Sequence, residues 1–299
     1  MKILNTCAFF LLVNTTISCN NGKANSGLIN HRKESSSSAK QDVQYDLSKP
    51  EKKWILNDTL DEISGIAWVD ADHLLAIEDL RPNLYLLNLQ DSATIEKTVP
   101  FKRMSKNKFD IEDVAINGKT AYALWSHGTI YRIDNWEGNK KVQELKMPLS
   151  KKNNTEGLCF DPVSEQLLIA CKDDAGLITE KKSTKAVYAY DLSATKMIVK
   201  PKFLIVKKDF EKISQEKIDF NPSAIAVHPI THDIYMLSTK DSKCLARYSY
   251  DGQFKDVELF DRKMVPQPEG LCFAPDGTMY VSTEAKDNMP AAIYKFTMK

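Results

Sequence analysis

Short apolar runs of four to six residues recur along this chain, each broken by a turn, with the two-residue alternation of half-buried strands and little helical periodicity. The most informative run is written twice, as Glu156-Gly157-Leu158-Cys159-Phe160 and as Glu269-Gly270-Leu271-Cys272-Phe273. Three further stretches align with it: Ser64-Gly65-Ile66-Ala67-Trp68, Glu112-Asp113-Val114-Ala115-Ile116 and Ser223-Ala224-Ile225-Ala226-Val227. After each copy come a turn and a second apolar run, such as Leu74 to Ile77 or Ile234 to Leu237. A third run carries a tyrosine in every copy (Tyr85, Tyr131, Tyr188, Tyr248, Tyr294), and a fourth follows in most.

Four strands per unit at a spacing of about 45 residues predict an all-β fold, a single β-propeller. We expect five four-stranded blades; a degenerate sixth hidden in residues 195–222 is the alternative. The last copy ends at Lys299 without a fourth strand, and an orphan run, Trp54 to Leu56, precedes the first. The N-terminal strand should therefore complete the last blade and close the ring, removing two exposed sheet edges.

Alternation along the first strand sorts its residues. Ile66, Val114, Leu158, Ile225 and Leu271 should pack between blades. Cys159 and Cys272 stand where other blades place Ala67, Ala115 and Ala226, so they read as small apolar residues near the axis. Cys171 and Cys244 have no matching partner, and no disulfide is expected. At the strand starts, Ser64, Glu112, Glu156, Ser223 and Glu269 are all acidic or hydroxylic. So are Glu62, Asp110, Asn154, Asn221 and Gln267 two positions earlier, with amides included. First strands surround the axis, so these side chains converge on one channel mouth. The ends of the second strands reach the same mouth with Glu78, Asp79, Ser126, His127, Lys172, Asp173, Thr239, Lys240, Thr283 and Glu284. The long connections 101–108, 173–184, 207–220 and 284–290 fall on that end, where loops on a regular scaffold carry function.

Crowded carboxylates need a cation, a basic partner or retained protons. Oxygen donors of this kind suit a hard ion such as Ca²⁺ better than zinc. The candidate ligand-binding residues are Ser64, Glu112, Glu156, Ser223, Glu269, Lys172 and Glu284, with Glu112, Glu156 and Glu269 as conjectural metal ligands. His127 and Glu78 are conjectural proton-transfer groups. Lys102, Arg103, Lys106 and Lys108 form a local basic loop. The histidines of the opposite turns, His228 and His232, are discounted.

Composition adds constraints. The chain has 299 residues, 42% hydrophobic, with a formal net charge of +1, so no global field favours nucleic acid. No P-loop, dinucleotide fingerprint or zinc-type cysteine pair is present. Lys2, the apolar run from Cys7 to Val13, and Thr16-Ile17-Ser18-Cys19 resemble a bacterial lipoprotein signal, too short to span a bilayer. Residues 1–18 would be the signal peptide, and Cys19 the lipidated N-terminus. Residues 19–44, rich in serine and asparagine, would form a tether of about 25–30 Å root-mean-square span, leaving 45–299 as the propeller.

The run "ISGIAW", "IEDVAI", "TEGLCFDP", "PSAIAVHP" and "PEGLCFAPDGTMYVSTE" resembles the SdiA-regulated, YjiK-like family of bacterial envelope β-propellers over about residues 45–299. That resemblance implies an exported or membrane-tethered propeller; some members are linked to calcium response, and no reaction comes with it. Glu112, Glu156 and Glu269 match motif positions, while Ser64 and Ser223 break a full acidic ring. Two functions follow. One is a monomeric, lipid-anchored module that binds a cation or small ligand at the mouth and meets an envelope partner through its loop-rich face. The other is a calcium-dependent hydrolase of the lactonase, esterase or phosphatase type.

Overall fold

A computed structural model describes residues 45–104, 109–177, 184–213 and 217–299. Their strands form five four-stranded antiparallel sheets. Blade 1 holds β2 (Ile63–Trp68), β3 (His73–Glu78), β4 (Arg81–Asn88) and β5 (Thr94–Pro100). Blade 2 holds β6 (Ile111–Asn117), β7 (Thr120–Trp125), β8 (Thr129–Asp134) and β9 (Lys141–Lys146). Blade 3 holds β10 (Thr155–Asp161), β11 (Gln166–Cys171), β12 (Thr184–Asp191) and β13 (Lys196–Val206). Blade 4 holds β14 (Pro222–Val227), β15 (Ile234–Ser238), β16 (Cys244–Tyr248) and β17 (Phe254–Leu259). Blade 5 combines β18 (Pro268–Phe273), β19 (Met279–Thr283) and β20 (Ala292–Phe296) with β1 (Lys52–Ile55) from the other end of the chain.

Residues 195–222 do not hide a sixth blade. Their described residues contain the long outer strand β13, the helix α1 (Lys207–Ile213) and the start of β14. The helix lays Phe210 against Phe220 and Phe254, ring centroids 4.9 and 4.6 Å apart, and so covers blade 4. Ring closure is as the orphan strand implied. β1 pairs with β20 from Lys52↔Lys295 to Ile55↔Ala292, and the Trp54 indole donates to the Leu89 carbonyl of blade 1 at 3.0 Å.

The buried apolar side chains divide into five clusters, each shared by two neighbouring blades. Ile66, Val114, Leu158, Ile225 and Leu271 each enter a different cluster, as do the five third-strand tyrosines. Four of those hydroxyls also tie the ring to other segments: Tyr85 to Glu78, Tyr131 to Lys102, Tyr188 to the Ala175 carbonyl and Tyr294 to the Met264 carbonyl. The repeated tyrosine thus fills an inter-blade seam and pins a neighbouring segment. Cys159, Cys171, Cys244 and Cys272 are free thiols.

Neighbouring inner strands approach too closely for a side chain at some positions. A Cβ on Gly65 would lie 2.5 Å from Asp113 Oδ1 and 2.7 Å from Asp113 Cα. One on Gly157 would meet the backbone of Ala224 and Ile225 at 3.0 Å. The glycine of the repeated motif is therefore set by the contact between adjacent inner strands.

The first described residue, Tyr45, is buried where blades 4 and 5 meet. Its hydroxyl donates to the Gly277 carbonyl at 2.5 Å and lies 2.9 Å from His228 Nε2. His228 Nδ1 accepts from the Ile230 and Thr231 amides, and burial lowers its pKa to about 4, so the ring stays neutral. Tyr45→Phe should remove this clasp at a cost of about 1–2 kcal/mol, read as a Tm lowered by roughly 2–6 °C.

Candidate functional site

One irregularity, repeated five times, builds the mouth. Where β2 pairs with β3, Ile63 faces Glu78 and Gly65 faces Ile77, so Ser64 is skipped. The register breaks in the same way between Ile111 and Asp113, Thr155 and Gly157, Pro222 and Ala224, and Pro268 and Gly270. The skipped residues are Ser64, Glu112, Glu156, Ser223 and Glu269. A bulge of this kind re-aims a side chain and twists the strand end, here at the start of all five inner strands.

The result is a cavity of about 290 Å³ lined by Glu62, Ser64, Asp79, Asp110, Glu112, Asn154, Glu156, Lys172, Gln267, Glu269 and Glu284. Seven carboxyl groups face one lysine. Lys172 Nζ lies 3.0 Å from Glu156 Oε1, and Asn154 Nδ2 donates to the same oxygen at 2.7 Å. Burial disfavours the Lys172 ammonium, but Glu156, Glu269 and Glu112 outweigh it and raise its pKa.

The carboxyl groups are held towards their protonated forms. Burial, then the charge of Glu156, pushes Glu112 well up. Burial also raises Glu156, which Lys172 and a hydrogen bond with Glu112 partly pull back. Burial lifts Glu269 to about 8 and Glu284 to about 9, with Glu156 adding to the first and Glu269 to the second. Asp79 rises to about 7 through burial and the charge of Asp110. A buried site that raises this many carboxyl pKa values together favours retained protons or a bound cation over bare carboxylates.

The tightest grouping is Glu62, Asp79 and Glu284, one candidate oxygen from each lying within 4.8 Å of the others. Glu284 is steadied by the Gln267 amide, whereas Asp79 Oδ1 is buried with no hydrogen-bond partner.

A family model described as SdiA-regulated matches residues 35–297. The chain belongs to the SdiA-regulated family. A search of curated proteins finds no sequence match. Among solved structures, this SdiA-regulated propeller is similar to Myxococcus xanthus glutaminyl cyclase, with 10% identity, a TM-score of 0.56, and coverage of 84% of this chain and 96% of that one. It also aligns with the PQQ-bound aldose sugar dehydrogenase of Streptomyces coelicolor, at 12% identity and a TM-score of 0.47, covering 84% and 100% of the two chains. At these identities the likeness is one of fold.

Of the residues singled out in the sequence, the family's fold brings Ser64, Glu112, Glu156, Glu269, Lys172 and Glu284 to one cavity. Ser64 and Ser223 act as clasps: their hydroxyls donate to the carbonyls of Ile111 and Pro268, on the inner strand of the adjoining blade, at 2.7 and 2.8 Å. Glu78 is fully buried and engaged by Arg81 Nε at 2.6 Å, by the Leu80 amide and by Tyr85. His127 is exposed and stacks on Trp125 at 5.2 Å, outside the cavity lining. Glu62, Asp79 and Asp110 join the site although they were not among the candidate ligands. Their strand-end positions were visible in the sequence; Asp79 follows the end of β3 as Lys172 follows β11 and Glu284 follows β19, and it is this position that lines the mouth. In the basic loop Lys102 is paired to Glu144 at 2.6 Å, and Lys106 and Lys108 lie outside the described residues. Cys19 and residues 1–44 lie outside them as well.

Lys172 is the cavity's own counter-charge. Lys172→Met should destabilise the protein by about 3 kcal/mol in chelator, because it strands buried Glu156 without a cation. Chemical denaturation with and without a divalent ion checks this, and the ion should recover much of the loss.

Proposed function

We propose that this SdiA-regulated propeller is a cation-binding module of the bacterial cell envelope, exported and lipid-anchored at Cys19. Its acidic mouth takes a divalent cation, alone or with a small ligand. The observation that carries the reading is the cavity in which seven carboxyl groups meet a single lysine. The donor set is all oxygen, which suits Ca²⁺. Asp79 Oδ1, buried and without a partner, is the atom a cation would satisfy. Glu62, Asp79 and Glu284 would hold the ion, with the Gln267 amide beside them. Glu112, Glu156 and Lys172 would form the opposite wall and contact a small ligand. The long connections around this mouth make it the end that meets an envelope partner.

Metal analysis of protein purified without chelator tests the reading, together with melts in Ca²⁺ and in EDTA. A stoichiometric ion and a Tm lowered by roughly 5–10 °C in EDTA are expected for occupancy near one hundred times Kd. Absence of both for Ca²⁺, Mg²⁺ and Mn²⁺ would sink it. Anchoring is tested separately: Cys19→Ala should release the protein from membranes and abolish lipid labelling.

The hydrolase reading draws on one observation, the Asp79 carboxyl poised at about 7 in the cavity. It makes Asp79, in place of His127 or Glu78, the proton-transfer group, with the cation on Glu112, Glu156 and Glu269 instead, where it would polarise the substrate oxygen. Metal-dependent turnover of lactones, aryl esters or phosphates, lost in Asp79→Asn, would establish it. No turnover across that panel leaves the binding module.

A further inference from the structure

The other end of the channel has the opposite chemistry. At the last or next-to-last position of each inner strand stands an apolar residue: Trp68, Ile116, Phe160, Val227 and Phe273, all half-buried. One position inward, each blade switches to a small one: Ala67, Ala115, Cys159, Ala226 and Cys272. Together with Ile66, Val114, Leu158 and Leu271 they line a cavity of about 140 Å³ that opens to solvent. Farther in, the inner strands β2 and β6 approach so closely that a Gly65 side chain would meet Asp113.

We propose that this cavity is a second binding site, for an uncharged small molecule bearing one ring or a short branched alkyl group. Three features define that class. The volume is close to that of an apolar cavity of roughly 150 Å³ that stays dry and takes up benzene. No lining side chain is charged, and burial raises the pKa of the Cys159 and Cys272 thiols, keeping them neutral. A charged group would therefore be stripped of water with no partner. Among the lining side chains only the Trp68 indole and the Cys159 and Cys272 thiols carry polar atoms, so main chain supplies the other groups that could orient a hydroxyl or carbonyl on the ligand. Each collar residue also packs against one of the five inter-blade clusters, which holds the rim of the opening in place. Phe273 is further braced by His228 at 4.9 Å and Tyr235 at 5.3 Å, which keeps that side of the opening formed without ligand.

Phenol and cyclohexanol, titrated into the full chain by calorimetry and tryptophan fluorescence, test the site, with Trp68→Phe assigning the optical signal. Saturable binding with Kd of about 10 µM to 1 mM is expected. Ala226→Leu, which fills the cavity, should weaken it at least tenfold, while Glu284→Gln at the far mouth should leave it within twofold. If Ala226→Leu does not fold, Ala115→Val decides, with a loss of at least threefold expected. No saturable binding of either probe would overturn the proposal. So would unchanged affinity in the filled variant, or a preference for benzylamine or phenylacetate over phenol. None of these outcomes depends on the acidic mouth.

Discussion

Asp113→Ala is expected to lower the stability of the propeller by about 2–5 kcal/mol, the largest effect of any single truncation near the axis. Three of the five inner strands carry glycine at this position and one carries alanine; only β6 places a side chain with polar atoms there. The Asp113 carboxyl is buried, accepts from its own strand through the Val114 amide at 2.8 Å and accepts from blade 3 through the Leu158 amide at 2.7 Å. Alanine would orphan two buried main-chain donors and open the seam between blades 2 and 3. Asparagine would rescue poorly, because its amide nitrogen would face one of those donors. Gly65→Ala should damage the same clasp from the other side, since the new methyl would sit 2.5 Å from Asp113 Oδ1. Urea unfolding of Asp113→Ala and Gly65→Ala, singly and combined, should give strongly non-additive losses. A cost under 1 kcal/mol for Asp113→Ala would show that Asp113 is not a clasp.

The second large effect concerns pH and cation together. In the folded protein Asp79 titrates near 7, Glu269 near 8 and Glu284 near 9, all above their unfolded values. A carboxyl whose folded pKa is raised binds more protons folded than unfolded between those two values, so stability is greatest below the unfolded pKa and falls as pH rises. In chelator, stability should therefore decline by several kcal/mol between about pH 5 and pH 9, then level off. A bound divalent ion takes the place of the lost protons, so Ca²⁺ should flatten the profile, mostly above pH 7. Glu284→Gln should have two effects of opposite sign: a higher melting temperature at pH 8 in EDTA, and a smaller gain from Ca²⁺. Melts from pH 5 to 9 with both proteins, in Ca²⁺ and in EDTA, read all four limbs. A flat profile in EDTA would contradict the raised carboxyl pKa values, and a Ca²⁺ response unaltered by Glu284→Gln would move the ion elsewhere.

The repeat was legible because the propeller applies one packing rule five times. Each copy must put an aliphatic residue into an inter-blade seam, a small one near the axis and a tyrosine in the third strand, and a period survives in the letters. Convergence of the strand starts followed from the same symmetry. The bulges did not, since skipping Ser64 or Glu112 changes no residue type. Glu78 and Asp79 also looked interchangeable, because the exact end of β3 is not marked by residue type, although one is locked to Arg81 and the other faces the mouth. Ser64 and Ser223 carry the same signature as the glutamates, but a shorter side chain reaches the adjoining strand and no farther. Asp113 stood in plain view among glycines, yet its role depends on an amide 45 residues further along the chain.

Closure by β1 makes the β1–β20 seam the strand pairing of longest sequence separation in the ring, and it should form last. Lys52 pairs with Lys295, so the first strand synthesised has no partner until nearly the last residue is available. Blades 1 to 4 are local and can form in order, whereas the final seam carries the loop-closure entropy of almost the whole domain. Until it forms, β20 presents an unpaired edge and the ring can open there. A chain shortened by its last ten residues would lose β20 and leave β1 without a sheet, turning a closed ring into an open arc prone to joining its neighbours edge to edge.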